Sequence, residues 1–288
     1  MRRFRIGALL MVAALSWPAF PAVPAWAAPV STSVRSGRWS DPAIWRPQGV
    51  PGAGVRVTIG KGTTVTYDSP NSGELAALTV QGTLTFSRER STRLEAGGLI
   101  VRGGGVLEIG TARRPIPAGV SAELRLIVPP GATFKGGGFV EGDVGLWVFE
   151  GGRWEVHGAP VRHTWTTLAR PAPAGSASLF VREDVSDWPV GAELLVTPSG
   201  AAPGDGDFEE RRLAQVRRRA EGLYELHLSA PLARAHGGGE GPGAVVAEVA
   251  LLSRNVRIAS KYADRTHAHT MYMAGARGAL AYADFADL

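Results

Sequence analysis

The feature that most constrains the fold is a repeated unit of two short strands with a glycine turn between them. The stretches LTVQGTLTF (78–86) and LIVRGGGVLEI (99–109) share this form, and LRLIVPPGATF (124–134) and LWVFEGGRWEV (146–156) repeat it. Apolar and polar residues alternate within each unit, which predicts strands with one buried face. Because the units recur about every 21–24 residues, the sequence predicts stacked coils of a parallel β-helix or a closely related solenoid.

Two tryptophans precede the first of these units and are candidates for closing the stack. A stack of coils leaves its first coil exposed, so it needs a cap. Trp39 and Trp45 lie just before the turn Val50-Pro51-Gly52, whose proline and glycine suit a type II turn. We therefore expect both indoles to help build a cap over the first coil.

The composition agrees with an all-β protein and excludes several kinds of function. Glycine (38) and proline (20) are abundant in this chain of 288 residues, as in folds made of many short strands and tight turns. The absence of cysteine excludes thiol catalysis, zinc–thiolate sites and haem attachment through cysteine. No G-x-S-x-G elbow supports a serine nucleophile. Stability must come from a buried core, which a chain of this length can build.

The first 27 residues have the pattern of a secretory signal peptide. Arginines at positions 2, 3 and 5 precede an apolar stretch, and the AWA at 25–27 offers a cleavage site. No later segment is apolar for long enough to span a bilayer, so we expect a secreted or cell-surface protein with no membrane insertion after cleavage. Removal of the three arginines lowers the net charge from +5 to +2, which argues against a nucleic-acid partner.

The texture of the sequence changes twice after the signal peptide, which predicts three segments. Residues 28–160 carry the repeated strand units, 161–243 form a loop-rich β module, and 244–288 return to the coil pattern as the start of a parallel β-helix. The chain ends inside that last pattern without a polar cap. We therefore expect the natural protein to be longer.

Several motifs in this order resemble the G-eight (eight-glycine) domain family. They are WSDPAIW, GVPGAGVRVTIGKGTTV and GGLIVRGGGVLEIGT, and the resemblance covers about residues 36–160. HAHTMYMAGARGALAYADF (267–285) resembles the opening of the right-handed parallel β-helix that follows in such proteins. The resemblance implies an all-β fold in which a stacked-strand eight-glycine domain caps a right-handed parallel β-helix, with a small β module between. It also implies an extracellular, carbohydrate-directed role.

Carboxylates cluster in the loop-rich module and raise the question of catalysis. Glycoside hydrolysis needs two carboxylates facing one bond, whereas a lyase pairs acid-bound calcium with a basic residue. The alternative is a solvated loop with ion pairs between strands. The candidate catalytic residues are Asp187, Asp207, Glu210, Arg211 and, as an acid or base, His163.

The segment FEERRL carries a more specific prediction because alternate residues of a strand share a face. Glu209 and Arg211 therefore point one way, and Glu210 and Arg212 point the other way. One of the two pairs must be partly inward, so we expect a buried or cleft-lining Glu–Arg pair.

Tryptophan and arginine supply the candidate ligand-binding residues. Indole rings stack on sugar rings, although they also fill cores. Trp165 and Trp188 lie in the loop-rich module and are the better candidates for platforms, and Arg182 and Arg212 would suit an acidic glycan such as hyaluronan. His267 and His269 form a weak metal half-site if they lie on a strand, and the lyase scheme makes calcium a possible cofactor.

These observations favour a secreted polysaccharide-binding protein whose partner is an extracellular, hyaluronan-like acidic glycan. Two alternatives stay open. One is a hydrolase or lyase that depolymerises such a glycan with carboxylates of the 184–210 region. The other is a purely structural surface module.

Overall fold

The computed structural model describes residues 28–128, 144–199, 208–239 and 245–288, and the predicted signal peptide lies outside these ranges. The described residues form 22 strands and no α-helix, so the predicted all-β class is confirmed. Within the same ranges the chain forms no helix with the length and hydropathy that a membrane span requires. The strands assemble into three sheets.

The first sheet has ten strands. They are β1 (Val30–Ser33), β3 (Trp45–Arg46), β4 (Arg56–Ile59), β6 (Glu74–Val80), β8 (Thr92–Val101), β10 (Ala122–Leu126), β11 (Gly145–Val148), β19 (Val256–Ser260), β20 (Thr270–Tyr272) and β22 (Ala283–Ala286). The main path runs β22-β19-β10-β8-β6-β4-β1-β3, and β11 pairs with both β8 and β20. All pairs are parallel except β1 with β3.

The second sheet has six parallel strands in the order β2-β5-β7-β9-β12-β21. They are β2 (Gly37–Arg38), β5 (Thr64–Tyr67), β7 (Thr83–Phe86), β9 (Val106–Ile109), β12 (Arg153–His157) and β21 (Arg277–Ala281).

The third sheet is antiparallel, in the order β13-β18-β15-β16-β17-β14. Its strands are β13 (Trp165–Thr167), β14 (Ser178–Val181), β15 (Glu193–Val196), β16 (Glu209–Ala220), β17 (Leu223–Leu228) and β18 (Glu248–Leu251).

The repeated units of the sequence stack in register in the first two sheets. Val57 pairs with Leu78, Leu78 with Leu99, and Leu99 with Leu146, so equivalent positions of successive units form one continuous row. These side chains are buried and join the inward residues of the second sheet in a single hydrophobic cluster. Burial of each such leucine contributes about 1.5–3 kcal/mol, which no unit obtains alone.

The long strand β8 divides the stack into two branches. Its first half pairs with β10 and its second half with β11. From this point each turn of the chain supplies three strands. They are β10, β11 and β12 in one turn and β19, β20 and β21 in the next. Each strand of the second turn pairs with its counterpart in the first.

The antiparallel sheet is an insertion between two turns of this stack. The chain leaves after β12, forms β13 to β18 with their own buried cluster, and returns so that β12 and β21 pair directly, with Val156 opposite Leu280. The segment 244–288 is therefore divided, because β18 belongs to the antiparallel sheet and β19 to β22 extend the parallel ones.

The glycine inside each repeated unit is required by close approach of the next turn. A Cβ atom at Gly82 would lie 2.3 Å from the carbonyl oxygen of Gly60, and one at Gly105 would lie 2.2 Å from that of Val80. Real Cβ atoms do not come this near to backbone oxygens. The glycines of the repeat thus set how tightly successive turns can pack.

The two early tryptophans lie at the end of the stack where the cap was expected. Their rings meet edge to face with centroids 4.8 Å apart, and both are fully buried. The Nε1 atom of Trp45 donates to the carbonyl of Trp39 at 2.9 Å, and Tyr67 packs edge-on against Trp39 at 5.1 Å. Trp39, Trp45 and Tyr67 together cover the first turn of the stack, next to its terminal strands β1, β2 and β3.

We predict that Trp39→Ala lowers the free energy of unfolding by about 3–5 kcal/mol, because it opens a large cavity at the end of the stack. Trp165→Ala is the matched control, since Trp165 is 52% exposed. Urea unfolding followed by circular dichroism measures both. Equal stability losses in the two variants would contradict a cap that depends on Trp39.

Candidate functional site

A polar groove runs across the outer face of the second sheet. Thr64 and Thr66 of β5 alternate with buried residues, and Thr83 and Thr85 of β7 do the same. Thr64 pairs with Thr83 and Thr66 with Thr85, so their hydroxyl groups form two rows across the stacked strands. Neighbouring strands lie about 4.7–4.9 Å apart, which sets the spacing of the rows.

Two glutamates continue one of these rows. Glu108 of β9 is the register partner of Thr85, whose Oγ1 donates to its Oε1 at 3.2 Å. Glu155 of β12 is the register partner of Glu108, and its Oε1 lies 3.0 Å from a guanidinium nitrogen of Arg153. The outer face thus presents hydroxyls first and carboxylates farther along the stack.

Arginines border the groove, which has a volume of about 540 Å³. Its margins carry Arg38, Arg88 and Arg114 together with the carboxylates of Asp68 and Glu89. Arg38 and Glu89 are both exposed and their charged groups are 4.0 Å apart, so solvent screens this pair strongly.

The charged side chains at the margin differ in how firmly hydrogen bonds hold them. Asp68 is buried and accepts hydrogen bonds from the backbone nitrogen of Ser40 at 3.0 Å and its hydroxyl at 2.8 Å. Its role is to hold the chain after Trp39 against β5. Arg88 is fixed by donation from Nε to the carbonyl of Pro115 at 2.8 Å, whereas Arg114 is exposed on a turn.

The groove was not among the sites predicted from the sequence, because those rest on tryptophans and acids whereas the groove is built from threonines. The available signal was the TVT of 64–66 and the TLT of 83–85, each at the outward positions of a repeated unit. Period two places such residues outside, and the repeat places them side by side.

The inserted module contains the Glu–Arg pair that alternation predicted. Glu209 is 6% and Arg211 18% exposed at the side chain, and the two form a close ion pair. Glu210 lies on the opposite, exposed face. Of the candidate catalytic residues on this strand, Arg211 therefore lies on the inward face and Glu210 on the outward face.

Glu209 is the centre of a saturated hydrogen-bond cluster. Its carboxylate accepts from the backbone nitrogens of Ala233 at 2.7 Å and Arg234 at 2.9 Å, and Nε2 of the buried His236 lies 2.9 Å away. Nδ1 of His236 lies 2.9 Å from the carbonyl oxygen of Thr197. The buried His236 therefore lies between the carboxylate of Glu209 and the carbonyl oxygen of Thr197.

The charge state of Glu209 follows from these partners. Burial alone would raise its pKa, but the amide of Ala233, the imidazole of His236 and the amide of Arg234 outweigh it and hold the pKa below its usual range. Because its acceptor positions are filled, this carboxylate links β16 to the chain around residue 233 and is not free to act as a catalytic acid or base.

The other acidic candidate that the structure describes is also engaged. Asp187 accepts from the backbone nitrogen of Arg162 at 2.8 Å. Hydrogen bonds from the side chain and backbone of Ser186, together with the Arg162 guanidinium, lower the pKa of the neighbouring Asp184 to about 2. Asp207 lies outside the described residues. His163 is exposed, and its carbonyl accepts from Nε1 of Trp188 at 2.7 Å.

The candidate binding residues of the module differ in their exposure. Trp188 is only 3% exposed and belongs to the core, so the prediction of a sugar platform is wrong for it. Trp165 is exposed on β13, and Arg182 is half-buried after β14. Arg212 lies on β16, where it contacts Glu193 at 2.5 Å.

The histidine half-site is also corrected. His267 and His269 precede β20 and do not lie within a strand. Nδ1 of His267 lies 3.1 Å from the carbonyl oxygen of Asp287, and the ring of His269 packs edge-on against Trp147 at 5.5 Å. In the part of the chain that the structure describes, no group of three or more His, Cys, Asp or Glu residues could hold a metal ion, calcium included.

Comparison with known proteins finds matches over most of the chain. The G8 domain model matches residues 44–169. The chain is 32% identical over 228 residues to human fibrocystin-L and 30% identical over 232 residues to mouse fibrocystin. A G8 domain-containing protein of Dictyostelium discoideum is 28% identical over 227 residues. These matches cover 76–78% of the present chain but only 5% of the two fibrocystins and 19% of the Dictyostelium protein.

We predict that Glu209→Gln lowers the free energy of unfolding at pH 7 by about 3–5 kcal/mol, because it breaks a largely buried ion pair and leaves the Arg211 guanidinium without its carboxylate. The stabilisation by this carboxylate is complete above pH 4.5, the unfolded value, and is lost as the pH falls through the lower folded pKa. The difference from wild type should therefore shrink below pH 4.5. Urea titrations over this range measure it, with the exposed Glu210→Gln as control. A difference independent of pH would contradict the assignment.

Proposed function

Because this chain carries a G8 domain, we propose that it is a secreted protein that binds an extended acidic polysaccharide along the groove of its second sheet. The groove comprises the outward residues Thr64, Thr66, Thr83, Thr85 and Glu108 with the marginal arginines, and is called the threonine groove below. It differs from the module residues selected from the sequence, of which Asp187 is engaged in an internal hydrogen bond.

The observation that carries the proposal is the regular hydroxyl array of the groove. Threonine hydroxyls both donate and accept, as sugar hydroxyls do. Register pairing places them at the strand spacing of about 4.7–4.9 Å, so a polymer lying along the stack meets equivalent hydroxyls on two successive turns, β5 and β7. The groove is open and elongated across several strands, which suits a polymer better than a compact ligand.

The marginal arginines favour an acidic polymer such as hyaluronan. Guanidinium groups bind carboxylates with paired hydrogen bonds. Arg38 is 60% exposed at the side chain and Arg114 is exposed, so both can reach a bound chain. Binding through exposed charges should weaken as salt is added.

We further propose that the parallel sheets are turns of a right-handed parallel β-helix. The support is the sequence of strands β10, β11, β12 and then β19, β20, β21, which pair one above the other with one strand on each branch per turn. Secretion by the signal peptide of residues 1–27 is part of the same proposal and rests on the sequence pattern.

Depolymerisation of the bound glycan is the second candidate. Glu108 and Glu155 are register neighbours on the outer face, and strand spacing places them near the separation of about 5–5.5 Å that retaining glycosidases use. Each already has a polar partner, Thr85 and Arg153 respectively, which favours binding over catalysis.

We predict that the double variant Arg38→Ala/Arg114→Ala binds hyaluronan roughly 3- to 30-fold more weakly than the wild type, the effect of two exposed ionic contacts. The matched control is Arg217→Ala/Arg218→Ala, which removes the same charge from exposed positions of β16. Calorimetry at two salt concentrations measures the affinities, and dextran serves as the neutral glycan.

Equal weakening in both double variants would show an effect of net charge and contradict the groove. Equal affinity for dextran and hyaluronan would contradict an acidic ligand. The length of the glycan after incubation separates the two candidates, since shortening that is abolished by Glu108→Gln supports catalysis and unchanged length supports binding.

A further inference from the structure

A second cavity lies beside the threonine groove and is not used by the proposed binding of charge and hydroxyl groups. It has a volume of about 250 Å³ and is lined by Pro115, His157, Pro160, Tyr282 and small residues. We call it the Tyr282 pocket. It lies where β12 and β21 end, at the point where the chain leaves for the inserted module.

The groove and the pocket share one wall. The turn at 111–115 contributes Arg114 to the groove and Pro115 to the pocket. Arg88, at the margin of the groove, donates from Nε to the carbonyl of Pro115 and fixes this turn. A chain that leaves the groove across the turn therefore reaches the pocket directly.

Asn255 holds the walls of the pocket in place. Its side-chain nitrogen lies within 3.1 Å of the carbonyl oxygens of Ile116, Pro117 and Val120, and its side-chain oxygen accepts from the backbone nitrogen of Ala159. One side chain thus joins the loops on both sides of the cavity. The pocket is built before any ligand arrives, which lowers the entropic cost of binding.

Tyr282 occupies the pocket in a strained conformation. Its φ of 53° lies in the left-handed region, which a bulky side chain rarely adopts. Its side chain is 38% exposed. Opposite it, a Cβ atom on Gly158 would lie 2.0 Å from the Tyr282 carbonyl oxygen, so glycine is required for this close approach. Strain of this kind is concentrated at functional positions.

The lining determines what kind of group fits. Two prolines and a tyrosine ring present flat apolar surfaces, which match the C–H face of a sugar ring. Nδ1 of His157 is buried and has no hydrogen-bond partner among the described residues, and such an orphaned atom calls for an explanation. The cavity is large enough for one ring and too small for a polymer segment.

We propose that the Tyr282 pocket is a subsite that receives a single sugar ring of the polysaccharide bound in the threonine groove. This inference rests on the proposed function. Tyr282 stacks on the ring, Pro115 and Pro160 flank it, and Asn255 is a positioning residue that shapes the walls.

Tyr282→Gly tests the subsite, because glycine removes the ring and also relieves the strained φ. We expect binding of a hyaluronan oligosaccharide to weaken about three- to tenfold, the effect of one lost aromatic contact. The midpoint of urea unfolding should stay unchanged or rise, since glycine adopts positive φ without strain. Tyr282→Phe keeps the ring and should bind as the wild type does.

The control is Tyr272→Ala, an aromatic residue of the same last turn that is similarly exposed and lies outside the pocket. It should leave the affinity unchanged. Wild-type affinity in Tyr282→Gly would overturn the subsite while leaving the groove intact. Loss of binding together with a lower unfolding midpoint would show that Tyr282 is structural and would also overturn it. No binding by the wild type would overturn both the groove and the subsite.

Discussion

The in-register stacking of inward side chains is the constraint on which the rest of the structure depends. Val57, Leu78, Leu99 and Leu146 succeed one another along a single row, and a shift of one residue would turn every such side chain outward. Glycines such as Gly82 and Gly105 make the spacing possible because only a hydrogen fits against the carbonyl of the previous turn. The same register sets both the buried and the outward positions of each unit, so the outward threonines also align in rows.

The parallel stack continues in register after a long insertion. Between β12 and β19 the chain builds a separate antiparallel sheet with its own core, yet β21 returns to pair with β12 in register. Asn255 lies at this junction and joins loops that are far apart in sequence. Gly158 and Tyr282, whose backbones approach each other closely, also lie at this junction. The cavity beside the groove is formed there before any ligand binds.

Charged side chains have different roles in the inserted module and on the parallel sheets. In the module, Glu209 and His236 form a buried pair whose every bond is internal, and such pairs fix geometry more than they add stability. On the parallel sheets, Arg38 and Arg114 remain exposed beside hydroxyl rows. Residues with satisfied partners hold the fold, and residues with solvent-facing groups are available to a ligand.

The sequence alone predicts the class of fold, the repeated strands, the aromatic group of Trp39 and Trp45 at the end of the stack, and an inward Glu–Arg pair within residues 209–212, although not which of the two pairs is inward. Each of these follows from local periodicity, because alternation within a strand decides which residues share a face. It did not determine that Trp188 is buried, that Glu209 meets His236, or that β18 joins the antiparallel sheet. Those facts depend on pairing between segments far apart in the chain. The threonine rows of the groove had a signal in the repeat, whereas the Tyr282 pocket was decided by tertiary structure alone, since it exists only where the ends of separate turns come to lie side by side.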